Sequence, residues 1–476
     1  MSQTPSELSP ELIARFAAIV GDRHALVEEA DIAPFVTERR GLYPGRSRLV
    51  LRPGSVDEVS RIMALASETR TPVVPQGGNT GLVGAQVPDG SGRQVVLSLA
   101  RLDRIREIDT ASNTMTAEAG VVLQRIQEAA DAADRLFPLS LGSQGSCQIG
   151  GNLSSNAGGT GVLAYGNARE LCLGLEVVLP TGEVLDDIRK LKKDNTGYDL
   201  KDLFIGGEGT LGVITAAVLK LFPKPKGREI AWVGLRSPED ALALFGLALD
   251  RAGTGLTAFE LCGSIVVDFA ARHMPGVVRP LAGEHPWYVL MEVSSGRSAE
   301  DARGLIEEIL SAGIEAGLAD DAVIAESLSQ FSAFWHLREA MSEAQVHEGV
   351  SIKHDISVPV ASLPAFIAET GRAVLAAAPD ARLVTFGHMG DGNLHYNVSQ
   401  PEGAAGAGFG ARYREINTIV HDKVRAFGGS ISAEHGIGQM KRDELVATAP
   451  PVATDLMRRI RKAFDPAGIM NPGKLF

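Results

Sequence analysis

Three glycine-rich segments in the first half of this 476-residue chain limit its fold more than any other feature. They occupy residues 76–81, 142–159 and 206–212, and each combines glycine with serine, asparagine or threonine. Backbone N–H groups in such segments form nests that bind pyrophosphate, and glycine leaves room where a flat ring lies against the backbone. One such segment alone would be an ordinary loop, whereas three together favour a site for a nucleotide-like cofactor.

The segments do not match the two commonest nucleotide-binding motifs. No Gly-x-Gly-x-x-Gly follows the first predicted strand, and no Gly-x4-Gly-Lys-Ser/Thr is present. A classical Rossmann site or a P-loop is therefore not indicated.

A pair of histidines, His388 and His395, is the second informative feature. Asp391-Gly392 between apolar residues predicts a two-residue hairpin turn. Such a turn would place the two histidines directly opposite each other, with Cβ atoms about 5 Å apart, and Asn397 on the same face as His395. Two facing imidazoles and a carboxylate from elsewhere make a His2Glu metal site with an open position, where a bound hydroxyl becomes more acidic.

The same histidine spacing also fits two turns of a helix, and many isolated histidine pairs bind nothing. Residues 390–393 are weak helix formers, which argues against the helix. Glu434-His435, flanked by glycines, favours the metal interpretation, because these glycines indicate a close approach of the backbone to another group. Zinc, manganese and iron all suit such a donor set, so the identity of the metal stays open.

Charge and cysteine content exclude several classes of function. The chain has 46 basic and 58 acidic residues, a net charge of −12, and no block rich in Lys or Arg, so nucleic acid and anionic membranes are not expected partners. Cys147, Cys172 and Cys262 form no CxxC pair, which excludes a zinc ribbon or disulfide framework. We see no secretory or mitochondrial leader and no stretch that would span a bilayer, so we expect a cytoplasmic protein.

The order of elements predicts a mixed α+β chain. Residues 49–75 are typical of a strand–helix–strand unit, in which Ser55 and Glu58 complete a capping box at the helix start. The segment 223–227, rich in Pro and Gly, predicts a domain boundary. Beyond it we expect an antiparallel sheet with helices on one face. The predicted parts are residues 1–225, residues 226–425 with the histidine hairpin, and a C-terminal segment, 426–476, that packs back on the first part.

Together these motifs resemble a known family. Residues 75–81, 143–159 and 206–212 resemble the FAD domain of the vanillyl-alcohol-oxidase-type flavoproteins. Residues 387–395, Glu434-His435-Gly436 and the closing Asn471-Pro472-Gly473-Lys474 resemble the FAD-linked D-2-hydroxyacid dehydrogenases. The resemblance runs from about residue 49 to residue 476. It implies a two-part FAD-binding domain and an antiparallel α+β substrate (cap) domain.

The resemblance also implies site residues. FAD would be bound non-covalently, because Asn79 stands where relatives with covalent flavin carry a histidine. The first segment would bind the pyrophosphate, and the second would line the ring and the ribityl chain. The implied FAD contacts are Pro75, Gly77, Gly78, Asn79, Thr80, Gly81, Leu82, Ser143, Gly145, Ser146, Ile149, Gly150, Gly151, Asn152, Ser155, Asn156, Gly158, Glu208, Gly209, Gly212, Ile214 and Asn471. The implied zinc ligands are His388, His395 and Glu434, and His435 would lie beside the substrate hydroxyl.

Substrate-binding positions are implied at Arg338, Lys353 and Asn397, with Ser342 where relatives carry threonine. From the residues alone, Arg338 and Ser342 share a face of a predicted helix and Lys353 lies on the next strand, so together they would clamp a carboxylate. The alternative is a surface salt bridge from Arg338 to a glutamate on its own helix. Serine lacks the methyl group of threonine, which leaves the preferred length of a diacid open.

These expectations combine into one activity. A D-2-hydroxyacid, with D-2-hydroxyglutarate ahead of D-malate or D-lactate, would be oxidised to the 2-oxoacid by hydride transfer to flavin N5. His435 would be the general base, a role that typically contributes ~10²–10⁴-fold. Electrons would pass to an electron-transfer flavoprotein or the quinone pool, since the cysteines are too few for an iron–sulfur cluster. A homodimer is a further expectation.

Three other functions compete with this one. One is a plain flavin-binding or storage module, which no specific acid would reduce. A His2Glu metal hydrolase would need the histidines but not the glycine-rich segments. A non-redox FAD-dependent transferase of the same flavin fold would need those segments but would not be reduced by a hydroxyacid.

Overall fold

The computed structural model describes residues 8–404 and 406–476, which form two compact units. Unit 1 takes in the described part of Met1–Gly159 together with Gly166–Pro223 and Glu434–Phe476, and unit 2 takes in Thr160–Tyr165 and Lys224–Ala433. These bounds differ from the predicted 1–225, 226–425 and 426–476. In particular, Thr160–Tyr165 belongs to unit 2, because Leu163 packs against the unit 2 core.

Unit 1 contains a four-stranded sheet and a five-stranded sheet. In the first, Val50–Leu51 and Val73–Gln76 both run parallel to Val95–Ser98. The helix Val56–Thr69 connects the first two of these strands, and Ser55 caps it by accepting a hydrogen bond from the Glu58 backbone. The predicted strand–helix–strand unit is therefore confirmed. In the second sheet all neighbouring strands are antiparallel.

The bounds of the unit 1 elements follow. The strands are Ala25–Leu26, Val50–Leu51, Val73–Gln76, Val95–Ser98, Ile105–Asp109, Thr114–Glu118, Arg135–Leu136, Cys172–Val178, Val184–Asp187, Val213–Lys220 and Phe222–Pro223. The α-helices are Pro10–Val20, Glu29–Val36, Val56–Thr69, Leu123–Ala132, Ile149–Ser154, Lys201–Phe204, Arg442–Thr448 and Pro451–Phe464.

Unit 2 is built on one eight-stranded antiparallel sheet. Its strands are Gly227–Leu235, Leu256–Gly263, Trp287–Ser295, Asp321–Ile324, Ser351–Ile352, Asp355–Ser357, Arg382–His388 and Asn393–Ser399. Its α-helices are Val162–Tyr165, Pro238–Ala252, Ser264–His273, Ala299–Glu315, Leu328–Ala344, Leu363–Ala377, Gly406–Gly410 and Tyr413–Ala426.

Helices cover both faces of this sheet, so the expectation of helices on one face is wrong. Alternate residues of Gly227–Leu235 belong to different cores: Ala231 and Val233 to one, Ile230 and Trp232 to the other. Strand side chains point alternately to opposite faces, and here both sets are apolar. Each face therefore needs helices to bury it. The second face is covered by helices that include Leu328–Ala344.

The histidine hairpin has a different register from the one predicted. Phe386, rather than His388, lies opposite His395. The connection is longer than two residues, because Met389–Asp391 forms a 3-10 turn and Gly392 adopts a left-handed φ of 85°. The two histidines are therefore diagonal neighbours rather than directly opposed, and their ring centroids are 6.0 Å apart.

One helical segment, Val360–Ala377, is long and apolar enough to cross a membrane by length and composition. The expectation that no stretch would meet that criterion is therefore wrong. A core helix passes the same test, and Phe366 and Val374 of this segment are buried in the unit 2 core.

Candidate functional site

An open cavity lies in unit 1. All three glycine-rich segments contribute to its lining, and so does His435. The predicted FAD contacts that line it are Pro75, Gly77, Gly78, Asn79, Thr80, Gly81, Gly150, Gly151, Asn152, Ser155, Glu208, Gly209, Gly212, Ile214 and Asn471.

The other predicted contacts lie outside this lining. They are Leu82, Ser143, Gly145, Ser146, Ile149, Asn156 and Gly158. Ile149 is buried in the core, and the Asn156 side chain accepts a hydrogen bond from the Arg169 backbone. Ser146 supports the lining from behind, because its carbonyl oxygen packs against Gly78.

Several lining residues were not predicted. They are Gln76, Val83, Ala85, Gln86, Leu99, Ala119, Cys147, Gln148, Ser154 and Val213. Gln76, Cys147, Gln148 and Ser154 lie inside the glycine-rich segments, so the segments themselves marked them. Leu99 and Ala119 follow strands directly, and no local pattern distinguishes them from other strand ends.

Two features explain why glycine and left-handed backbone recur in this lining. A Cβ on Gly78 would lie 2.1 Å from the Ser146 carbonyl oxygen, and one on Gly150 would lie 2.6 Å from the Ala119 Cβ. Asn79 adopts a φ of 55°, in the left-handed region that asparagine tolerates better than most residues. At Gly78 and Gly150, glycine is therefore required by the close approach of neighbouring atoms.

The polar atoms of the lining fit a flavin nucleotide. Among the described residues, the side-chain oxygens of Gln148, Asn152 and Asn471 are buried and accept no hydrogen bond. A buried acceptor without a donor costs free energy, and such groups are rare in native proteins. The ribityl hydroxyls and the ring N–H of a flavin are donors that would satisfy them.

Glu208 ties the C-terminal segment to the cavity. Its carboxylate accepts hydrogen bonds from the backbone of Ile437 at 2.6 Å and Gly438 at 2.8 Å. The Asn471 amide donates to the Glu208 carbonyl at 2.7 Å. Burial raises the pKa of the Glu208 carboxyl, against the effect of the two N–H donors. These contacts hold the segment that carries His435 against the cavity wall.

In unit 2, a buried carboxylate joins two of the predicted site residues. Glu260 lies opposite His388 across the sheet, and its Oε1 is 2.6 Å from His388 Nδ1. Arg338 donates from Nε to Glu260 Oε2 at 2.8 Å, and its guanidinium stacks 4.9 Å from the centroid of the Phe386 ring. Burial alone would raise the pKa of Glu260, but His388 and Arg338 outweigh it and hold that pKa at about 2.

The alternative predicted for Arg338, a surface salt bridge to a glutamate on its own helix, is wrong. The salt bridge forms in the interior with Glu260 rather than at the surface with a glutamate of the same helix. Sequence reasoning missed Glu260 because 128 residues separate it from His388. The strand pairing that joins them leaves no local signal.

The two histidines present a donor pair within unit 2. Their ring nitrogens lie within 4.8 Å of each other, and the rings are inclined at 72°. A carboxylate on the distal nitrogen is the usual way to orient a metal-binding histidine, and Glu260 supplies one to His388. Asp355, also missed from sequence, lies opposite His395 in the sheet. Glu434 belongs to unit 1, where its Oε1 is 3.6 Å from Nε2 of His435.

The remaining predicted substrate residues lie in unit 2. Lys353 lies between two short strands rather than on one, and its Nζ donates to the Ser342 carbonyl at 3.4 Å. Both side chains are exposed. Asn397 is buried; its Oδ1 accepts from the His354 backbone at 3.0 Å and its Nδ2 donates to Gln345 at 2.9 Å.

Comparison with known families and proteins gives consistent matches. Residues 224–475 match the family of FAD linked oxidases, C-terminal domain, and residues 47–187 match the FAD binding domain. The chain is 37% identical over 471 residues to a protein from Oryza sativa subsp. indica named probable D-2-hydroxyglutarate dehydrogenase, mitochondrial, covering 99% of this chain and 82% of that protein. It is 37% identical over 449 residues to D-2-hydroxyglutarate dehydrogenase from Xanthomonas citri pv. viticola, covering 94% and 93%.

Among solved structures, p-cresol methylhydroxylase with substrate bound superposes with a TM-score of 0.77 at 16% identity, covering 98% of this chain and 96% of that one. At that identity the likeness shows the fold alone. It confirms the predicted vanillyl-alcohol-oxidase-type FAD fold.

Proposed function

Because this chain belongs to the family of FAD-linked oxidases, we propose that it oxidises a D-2-hydroxyacid to the 2-oxoacid, with D-2-hydroxyglutarate ahead of D-malate or D-lactate. Relatives at 37% identity that are named D-2-hydroxyglutarate dehydrogenases support the substrate. The observation that carries the proposal is that His435 lines the same cavity as the glycine-rich segments. A base at a flavin cavity is what dehydrogenation of an alcohol requires.

The residues present fit both groups that this reaction needs. Bound FAD supplies a hydride acceptor, and a bound divalent metal supplies a Lewis acid that lowers the pKa of the substrate hydroxyl. The lining of the unit 1 cavity would hold FAD non-covalently, with Asn79 at the position of a covalent attachment in some relatives. We propose His388, His395 and Glu434 as metal ligands, a donor set for which zinc is the first candidate.

The side chains then have distinct roles. His435 takes the hydroxyl proton on its imidazole, a contribution of ~10²–10⁴-fold in typical enzymes. Arg338, Ser342 and Lys353 bind the distal carboxylate and so fix which hydrogen on C2 leaves. Asn397 is part of the proposed substrate set and also orders His354 and Gln345 beside it.

For reoxidation we propose an external acceptor, either an electron-transfer flavoprotein or the quinone pool. Its support is indirect: the three cysteines are free and buried, and an iron–sulfur cluster needs four thiolates. The homodimer and the cytoplasmic location stay predictions.

The test is an anaerobic visible spectrum of purified, metal-loaded protein, titrated with D-2-hydroxyglutarate, D-malate and D-lactate, each against its L-isomer. We expect the flavin band to bleach with the D-acids only, at the lowest concentration with D-2-hydroxyglutarate, and a chelator to abolish the bleaching.

The alternatives give different spectra. A yellow protein that no hydroxyacid bleaches would favour the non-redox transferase or a plain flavin-binding module. A colourless protein that still binds metal would favour the His2Glu hydrolase. Bleaching by D- and L-acids alike would contradict the proposed carboxylate clamp.

A further inference from the structure

Glu260 is the most completely buried charged residue near the proposed ligands of unit 2, with 1% of its surface exposed. It lies on the strand Leu256–Gly263, directly opposite His388. Its two oxygens have different partners: Oε1 is 2.6 Å from His388 Nδ1, and Oε2 is 2.8 Å from both Arg338 Nε and Arg338 Nη2. One carboxylate thus contacts a proposed metal ligand and a proposed substrate-binding residue.

Each contact fixes the orientation of the side chain that Glu260 touches. A histidine that binds metal through Nε2 keeps its proton on Nδ1, and a carboxylate acceptor there fixes the tautomer and raises the basicity of the ligand. On the other side, Glu260 and the Phe386 ring fix the plane of the Arg338 guanidinium. A fixed plane reduces the entropy that the side chain loses when it binds a second carboxylate.

Burying charged groups costs free energy, so the presence of this pair calls for an explanation other than stability. An isolated buried ion is strongly disfavoured, and even a buried ion pair often contributes less stability than an apolar replacement. Glu260 and Arg338 compensate each other's charge, with Arg338 also buried. The pair is therefore poorly explained by stability alone, and its position between two functional groups explains it better.

We propose that Glu260 is a positioning residue that orients His388 for metal binding and Arg338 for the distal carboxylate of the substrate. This inference rests on the proposed function, and it goes beyond it by coupling two subsites. Because a single carboxylate supports both, a change at Glu260 alters metal affinity and diacid recognition together, although Glu260 itself touches neither ligand.

The test uses the full chain with Glu260→Gln, which keeps the side-chain shape and removes the charge. Protein is stripped with a chelator and titrated with Zn²⁺ alone, with bound metal read by elemental analysis. We expect a Zn²⁺ Kd about 10–100-fold weaker than that of the wild type, the usual effect of losing such a partner. In the reloaded protein, we expect KM to rise more for D-2-hydroxyglutarate than for D-lactate.

Glu292→Gln is the matched control. Glu292 lies on the neighbouring strand, is 4% exposed and also pairs with an arginine, since Arg228 Nη2 is 2.9 Å from its Oε1. Its other oxygen accepts a hydrogen bond from Trp335. It therefore matches Glu260 in burial and charge pairing but not in its contacts with proposed site residues. An equal loss of Zn²⁺ affinity in both variants would overturn the inference.

Glu260→Gln leaves Arg338 buried without its carboxylate, so the single variant is at risk of misfolding. The double variant Glu260→Gln/Arg338→Met removes both charges and with them that cost. We expect this double variant to fold and still to bind Zn²⁺ weakly, while Arg338→Met alone keeps Zn²⁺ affinity within about threefold. Wild-type Zn²⁺ affinity in the double variant would overturn the role of Glu260 at His388.

The outcomes separate this inference from the proposed function. If the wild-type protein itself takes up no Zn²⁺, Mn²⁺ or Fe²⁺, the proposed metal site fails and the coupling fails with it. If the wild type binds metal and Glu260→Gln binds it equally well, only the inference fails.

Discussion

Unit 1 presents a cavity made mainly of backbone and small side chains, whereas unit 2 presents a histidine and an arginine held by one buried carboxylate. In unit 1 the packing around the cavity depends on the absence of side chains, as at Gly78, where even a Cβ would collide with a carbonyl oxygen. In unit 2 it depends on charges, as at Glu260 between His388 and Arg338. The difference implies that changes of volume should damage unit 1, and changes of charge should damage unit 2.

The largest effect is expected at His435, because it places an imidazole in a cavity that is otherwise lined mainly by backbone and small side chains. We expect His435→Ala to lower kcat by ~10²–10⁴-fold through loss of the general base, with FAD still bound. Anaerobic flavin reduction by D-2-hydroxyglutarate and the visible absorbance measure the two effects. His24→Ala, in the same unit but outside the cavity lining, is the control. Turnover near the wild-type rate in His435→Ala would remove the base assignment.

Removing the charge of Arg338 should weaken substrate binding by unit 2. We expect Arg338→Met to raise KM for D-2-hydroxyglutarate by ~10–100-fold, since a charged hydrogen bond contributes about 1.5–3 kcal/mol, and to affect D-lactate much less. Steady-state kinetics with both acids give the ratio. Arg228→Met, which breaks the Arg228–Glu292 pair of the same sheet, should leave the ratio unchanged. Equal effects on both acids would contradict a distal clamp.

A single methyl group should suffice to damage unit 1. Gly78→Ala places a Cβ 2.1 Å from the Ser146 oxygen, and overpacking of this kind costs about 1–3 kcal/mol. We expect lower FAD content and a lower Tm. Gly142→Ala is the matched control, because a Cβ there meets nothing within 4 Å. A Gly78→Ala protein with full FAD content would show that the first glycine-rich segment adapts to the added methyl group. It would contradict the expectation that changes of volume damage unit 1.

The smallest effect is expected at Lys474, a buried charge in unit 1. Burial lowers its pKa to about 8, below the unfolded value of about 10.4. The unfolded chain therefore binds more protons between these values, so stability rises with pH across that window. Lys474→Met should therefore be more stable than the wild type below pH 8 and lose that advantage above pH 10. Denaturant midpoints at both pH values measure it, with exposed Lys192→Met as control.

Sequence reasoning succeeded where the signal is local. The strand–helix–strand unit of residues 49–75 was predicted because its cap and apolar pattern lie within one window. The glycine-rich segments were informative because backbone crowding demands glycine at particular positions. By contrast, the helix Ser264–His273 follows a strand directly and has no side-chain cap at Gly263, so nothing in the local pattern marked it.

In the candidate site, too, features with a local sequence signal were predicted and features without one were missed. The cavity of unit 1 was largely predictable, because contiguous segments supply most of its lining. In unit 2 the histidines were found, but their register was wrong, since a 3-10 turn replaced the two-residue turn. Glu260 and Asp355 were missed because strand pairing brings them beside the histidines from distant parts of the chain.

The C-terminal anchoring at Glu208 and Asn471 has a consequence for biosynthesis. Asn471 donates a hydrogen bond to Ala85, 386 residues earlier, and Ile469 accepts one from Val73. At ~5–20 residues per second of translation, roughly 20–80 s pass between the emergence of these partners. During that time the part of unit 1 that is made first lacks its closing segment. A nascent chain stalled before residue 434 should therefore expose the unfinished unit to chaperones and proteases.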